Sequence, residues 1–280
     1  MQIDATQLGF TQIVCATVAA LACLGSLAAE PRPFAEPPLF TDHTPIEIQL
    51  TANWGKLVRD KDSKLSKYPA SLTIGANTAT PQTLAVTLQP RGKSRRLSEI
   101  CSFPPLSLKF ANAQVANTLF ESQTKLKLVT HCAKLGRNRS VFEDRLHSEY
   151  LLYRIYNLLT PNSFKVRPVN ITYGYQKKKT THTHPGFLIE HKSALAVRTG
   201  SDLVKKTKVS VNVLSGEPSS LAALFAYFAG NTDYNFTQGR RGDDCCHNAV
   251  ALTKNDETIP VPYDFDVSGF VDPPLSLIHI

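Results

Sequence analysis

No RNP motif, helix-turn-helix pattern or zinc-finger spacing occurs in these 280 residues, which removes the sequence-readable routes to specific nucleic-acid recognition. No internal repeat is visible, so solenoid and propeller architectures are excluded. Apolar sequence of membrane-spanning length is scarce as well: the one small, apolar run, IVCATVAALACLGSLAA from Ile13 to Ala29, is marginal for a span. Cysteine is sparse, with 6 in the chain. Two of them fall in that N-terminal run, and Cys101, Cys132, Cys245 and Cys246 remain. An even number permits disulfides without revealing their connectivity. The adjacent Cys245 and Cys246 are expected to pair outward to two different partners rather than with each other.

The apolar share is 42% and the charged share 19%, enough for one large globular domain or two lobes sharing a cleft. The formal charge is +8, with the excess spread over Lys56 to Lys67, Arg91 to Arg96, Lys125 to Arg145 and Lys177 to Lys179. Such a field favours anionic partners without choosing among phosphates, acidic polymers and anionic lipid.

The Ile13 to Ala29 run ends in alanines and leads into EPRPFAEPP, which reads as a signal peptide over 1–29 cleaved near Ala28 or Ala29. Its n-region lacks Lys and Arg and carries Asp4. Export to the periplasm, cell surface or medium is the expectation, with membrane attachment only through the signal sequence or through lipid at Cys23. A Pro-rich linker is expected over 30–45. At the other end, LSLIHI from Leu275 to Ile280 is what CTG TCT CTT ATA CAC ATC encodes, a sequence resembling the adaptor of a transposon-based sequencing library. The expectation is a reading frame interrupted after Pro274.

Alternating residues predict strands at 46–54, 71–74, 83–89, 106–110 and 125–130, forming an antiparallel meander. Ser140 and Glu143 have capping-box spacing, and Phe142, Leu146, Tyr150 and Tyr153 recur at helical intervals before Pro161 stops the run near Leu159. Strands follow at Phe164 to Tyr175 and Phe187 to His191, joined by QKKKTTHTHP, read as a solvated basic loop. Its His182 and His184 make a poor metal site, with no carboxylate nearby. A second helix carries Leu221, Leu224, Phe225 and Phe228 at i, i+3, i+4 and i+7, with Gly230 as its stop. Strands followed by mixed helices and strands indicate α+β.

The chemistry concentrates after that helix. Asn231 and Asp233 lie in a loop, His247 and Asn248 precede the short strand AVAL, and PVPYDFDVSG closes the next one. If that last stretch is extended, Asp264 and Asp266 share a face, and water, a basic side chain such as Arg91, Arg95 or Arg96, or a divalent cation is expected between them. A loop carboxylate, an amide opening a strand and a carboxylate closing the next are the parts of a phosphoryl-transfer site. One acid takes the proton of the nucleophile, while the amide oxygen and the second acid hold Mg²⁺ on the phosphates.

These residues, with RGKSR (91–95), LSLKF (106–110), KLKLV (125–129), EDRLHSEYLLYRIYNLL, GFLIEH, NTD, HN and PYDFD, resemble the CotH family of spore-coat kinases and their exported bacterial relatives over residues 46 to 272. The resemblance implies a two-lobed atypical protein-kinase-like fold with an antiparallel N-lobe sheet and a truncated C-lobe. It implies ATP with Mg²⁺ or Mn²⁺, and transfer to Ser or Thr of a protein acceptor. Asp233 would be catalytic, and Asn248 with Asp264 or Asp266 would bind metal. Arg91, Lys109 and Lys127 are the candidates to grip the phosphates, with Glu149 or Glu143 pairing with that cation. The sequence departs from kinases in lacking G-x-G-x-x-G and V-A-I-K, in DFD for DFG, and in a longer Asp233 to Asn248 gap, attributable to an insertion from Gln238 to Cys246. Two other functions compete: a non-catalytic envelope protein binding an acidic surface polymer, and a metal-dependent phosphoester hydrolase.

Overall fold

Leucine, isoleucine and valine at every second position give the first five strands one apolar face each, and that face decides the architecture. The computed structural model describes residues 36–61, 66–137 and 140–272. The expected signal peptide, Cys23 and the LSLIHI tail lie outside these residues. Strands β1 (Ile46–Ala52), β2 (Tyr68–Ile74), β3 (Gln82–Pro90), β4 (Leu106–Lys109) and β5 (Lys125–Val129) pair antiparallel in chain order. Two longer strands, β6 (Val166–Tyr175) and β7 (Lys178–Glu190), form a hairpin, and β7 pairs with β5.

The expected two-lobed kinase-like α+β fold with an antiparallel N-lobe sheet is overturned at β6. That strand pairs in parallel with β1, from Ile46 opposite Val169 to Ala52 opposite Tyr175. The seven strands therefore close into a mixed barrel in the order β1-β2-β3-β4-β5-β7-β6. Closure leaves no edge strand and encloses the apolar faces. Alternation in the sequence fixes which face of a strand is buried, not which strand becomes its neighbour.

Ile48, Leu50, Leu72, Val86, Leu88, Leu106, Leu108, Leu126, Leu128, Ile171 and Tyr173 fill the barrel. A short helix α1 (Trp54–Arg59), capped by the Asn53 side chain, follows β1. Its Trp54 is buried and donates its indole N–H to Gly174 O at 2.7 Å. The Pro-rich segment is not a free linker over its described part: Leu39 and Phe40, on a 3-10 turn, are fully buried in the same core. A second short helix, α2 (Asn112–Val115), lies between β4 and β5.

The outer face of β5, β6 and β7 supports a second core. Val129, Val166, Phe187 and Ile189 point outward and pack with Leu146, Leu152, Tyr153 and Tyr156 of helix α3 (Ser140–Leu159). Helix α4 (Lys192–Thr199) follows β7, and its Arg198 pairs with the fully buried Glu190 at 2.9 Å. Strand β8 (Asp202–Leu203), helix α5 (Gly216–Phe228), β9 (Ala249–Lys254) and β10 (Glu257–Pro262) complete the structure. The three strands form a small antiparallel sheet, β10-β9-β8.

Two details differ from the sequence reading. The basic QKKKTTHTHP segment is mostly strand, because β7 begins at Lys178, so His182 and His184 sit in a long hairpin rather than a mobile loop. On α5 the buried side chains are Ala222, Phe225 and Ala226, while Leu224 and Phe228 are 67% and 59% exposed. The alanines let the helix approach closely, which a count of large residues does not reveal. Among the described residues no helix is long and apolar enough to cross a membrane.

Candidate functional site

Strand parity builds one wall of a cleft. Gln89 faces Ser107 across β3 and β4, and Ser107 faces Lys127 across β4 and β5. Their neighbours Leu88, Leu106 and Leu126 point into the barrel, so Gln89, Ser107 and Lys127 form a polar row on its outside. The connections around the small sheet supply the other wall. Together they bound a cleft of about 710 Å³ that includes Arg91, Lys127, Asp233, Asn248, Asp264 and Asp266. Of the seven candidates for catalysis, phosphate contact and metal binding, only Lys109 is absent from this cleft; it is exposed at the far end of β4, opposite Lys125.

Asp233 follows α5 in a turn shaped by Asn231, whose side-chain oxygen accepts from the Asp233 N–H at 3.1 Å. The carboxylate is then gripped from the segment ahead of β9. His247 Nε2 is 2.7 Å from Oδ1, and Asn248 Nδ2 donates to Oδ2 at 3.0 Å and to the Asp233 carbonyl at 2.6 Å. Arg240 Nη2 stands 2.9 Å from His247 Nε2 and 3.8 Å from the carboxylate. Because its amide nitrogen is committed, Asn248 presents Oδ1 as its remaining polar atom. Its backbone is left-handed, φ 49°, a conformation that Asn tolerates better than most residues.

The PYDFD segment does not continue as a strand. β10 ends at Pro262, and Asp264 adopts φ 65° with its N–H donated to the Tyr153 hydroxyl at 2.9 Å. Alternation therefore does not place the two aspartates on one face, although both line the cleft. What meets Asp266 is the basic side chain: Arg95 Nε lies 2.6 Å from Asp266 Oδ2, and Arg95 Nη2 lies 2.9 Å from the buried Glu149 of α3. Glu149 thus pairs with Arg95 rather than with one of the three phosphate candidates. No hydrogen bond or ion pair of the Asp264 carboxylate is found among the described residues.

One cation shared among several buried carboxylates sets the electrostatics. Burial pushes the Glu149 carboxyl up, with Arg95 pulling the other way. Burial and the nearby Asp264 likewise raise Asp266 against the pull of Arg95. On the opposite wall, Lys127 Nζ sits 4.1 Å from the Tyr263 ring centroid and 5.3 Å from that of Phe164. Burial, followed by repulsion from Arg91, lowers its pKa to about 7, with Asp264 acting in the opposite direction. An anion placed beside Lys127 would favour its charged form.

A hard divalent cation needs oxygen ligands. The Asp264 carboxylate and Asn248 Oδ1 suit it, whereas Asp266 is engaged by Arg95. Among the described residues no group of three or more His, Cys, Asp or Glu is placed to hold a metal, so the remaining ligands would come from substrate and water.

The sequence did not place Lys192, Arg240, Cys245 or Cys246 at the site, yet all four line the cleft. The polar row of Gln89 and Ser107 carried a usable signal, since it interrupts leucine strands on their outward parity. The cysteine expectation is corrected: Cys245 and Cys246 are disulfide-bonded to each other, and Cys101 to Cys132. No protein-family model matches the chain, and no curated protein matches it.

Proposed function

We propose that this chain is an exported phosphotransferase that takes ATP with Mg²⁺ or Mn²⁺ in the cleft and moves the γ-phosphoryl group to a Ser or Thr hydroxyl of a protein. One observation carries the reading. Asp233, Asn248, Asp264, Arg91 and Lys127, from five separate segments, line a single cleft. The barrel adds nothing to it, because fold does not specify chemistry; the motif-level likeness to CotH proteins points the same way as the cleft.

Asp233, half-exposed and oriented by His247 and Asn248, accepts the proton of the acceptor hydroxyl as oxygen attacks phosphorus. Arg91 and Lys127 face the phosphates and offset their charge. Asn248 and Asp264 would hold the divalent cation, which supplies charge neutralisation on the phosphates. The two disulfides suit an oxidising compartment, in keeping with export.

A binding-only reading, with an acidic surface polymer as partner, is favoured by the engagement of Asp266 with Arg95, which withdraws one metal ligand. Thermal unfolding separates the two. ATP with Mg²⁺ should stabilise the protein where neither does alone, by about 2.7 kcal/mol at a hundredfold excess over Kd. Labelled γ-phosphate should reach a Ser-containing acceptor and be lost on Asp233→Ala. Synergy without transfer would leave the binding-only function, and absence of synergy would remove ATP as the ligand.

A further inference from the structure

The segment from Gly239 to Asn248 is fastened along the rim of the cleft. Its backbone is tied to the segment after β8, through Gly239 N–H to Thr207 O at 2.8 Å and Cys245 N–H to Lys206 O at 2.7 Å. Two ion pairs reach the barrel side, Asp243 to Lys93 at 3.3 Å and Asp244 to Lys192 at 3.0 Å. The strap folds so tightly that a Cβ on Gly239 would lie 2.3 Å from Asp244 O, so only glycine fits. Directly after the Cys245–Cys246 disulfide come the two residues that grip Asp233.

The stabilisation that a disulfide gives the whole fold grows with the logarithm of the loop it closes. The Cys101–Cys132 bridge, 31 residues apart, does so; Cys245–Cys246, adjacent in sequence, closes almost no loop. What the second bridge restrains is the local backbone path leading into His247 and Asn248. Both of its residues border the cleft, backed by Ala249 and Ala251 with Val204, Val209 and Phe236.

We propose that Cys245–Cys246 is a thiol–disulfide exchange site for a dithiol reductant, and that its reduction releases the hold of His247 and Asn248 on Asp233. A thiolate of the dithiol attacks one cysteine sulfur, the S–S bond breaks, and the other cysteine leaves as a thiolate that takes up a proton. The second thiol of the reductant then closes its own disulfide and frees the first cysteine. The protein gains two electrons and two protons, and the dithiol becomes a disulfide. The effect on ligand binding rests on the ATP reading above; the exchange and the loosening do not.

The test uses the whole chain titrated with dithiothreitol, trapped with N-ethylmaleimide and mapped by peptide mass. Cys245 and Cys246 should label while Cys101–Cys132 stays oxidised. Labelling of Cys101 and Cys132 first, or of Cys245 and Cys246 only in denaturant, overturns the site. Hydrogen exchange at the His247 amide, bonded to Asn235 O at 3.0 Å, should accelerate on reduction and in the Cys245→Ser/Cys246→Ser variant. Unchanged exchange overturns the loosening. Apparent MgATP affinity should fall by about tenfold or more on reduction, and the double variant should show the weak affinity with no response to dithiothreitol. Equal affinity in both redox states overturns the coupling to the cleft. No ATP response in either state, with the exchange change intact, overturns phosphotransfer and upholds this proposal.

Discussion

Two clusters of buried titratable side chains lie on opposite faces of the same barrel wall, and they are held in opposite ways. Inside the barrel, the rings of His131 and His184 stack at 3.7 Å, with Phe103 on the other side of His131. Among the described residues, both nitrogens of His131 and Nδ1 of His184 have no hydrogen-bond partner. Outside, Arg95 is clamped between Glu149 and Asp266. Neutral imidazoles tolerate an apolar core, with burial lowering His131 to about 3 and His184 below its usual value. Charges do not, and both carboxyls of the outer cluster share the Arg95 guanidinium. Polar burial inside the barrel therefore marks packing, whereas charge burial outside it marks the cleft.

Arg95→Met should break this contrast most severely. It leaves Glu149 and Asp266 buried without their cation, and removing one member of such a network costs about 3–5 kcal/mol. Urea unfolding at pH 7 measures the loss. Because the orphaned carboxyls would bind protons, the variant should recover stability as the pH falls toward 5; a flat difference across that range would show that the network carries no charge.

Lys127 is an intermediate case, a buried ammonium held by aromatic faces and without an ion pair among the described residues. Its folded pKa of about 7 lies below the usual lysine value of 10.5. Between those values the unfolded chain binds the proton and the folded chain does not, so stability rises with pH through that window. Lys127→Met removes the slope. At pH 7 the variant should be more stable than the wild type, by on the order of 1.4 kcal/mol or more, with the gap shrinking toward pH 10. It should also lose the MgATP response. Parallel pH profiles would mean that Lys127 stays charged in the cleft.

The parts legible in the sequence are those that short-range periodicity encodes. The five meander strands and the long helix ending at Leu159 follow from alternation and helical spacing. Barrel closure was not legible, because it depends on β6 meeting β1 more than a hundred residues away, and both strands would look the same at an open edge. Among Arg91, Arg95 and Arg96, only the 3-10 turn Ser94–Arg96 decides that Arg95 turns to Glu149. Nor does sequence say whether neighbouring cysteines pair with each other, since that is fixed by the path of the strap.

The smallest effect is expected inside the barrel. His131→Phe keeps a ring where one already stacks on Phe103 at 5.3 Å, and it removes two ring nitrogens that have no partner among the described residues. Replacing an unsatisfied polar group by an apolar one of similar shape is neutral or stabilising, here by about 1 kcal/mol at pH 7. The advantage should grow in acid. Below the usual histidine value of 6.5, and down to about 3, the unfolded wild type binds a proton at His131 that the folded barrel refuses, so wild-type stability falls with pH where the variant's does not. Chemical denaturation at pH 7 and pH 5 reads both numbers. A loss of more than about 2 kcal/mol at pH 7 would mean that the imidazole nitrogens have a bound partner in solution, and the inner cluster would then be a polar site rather than a packing one.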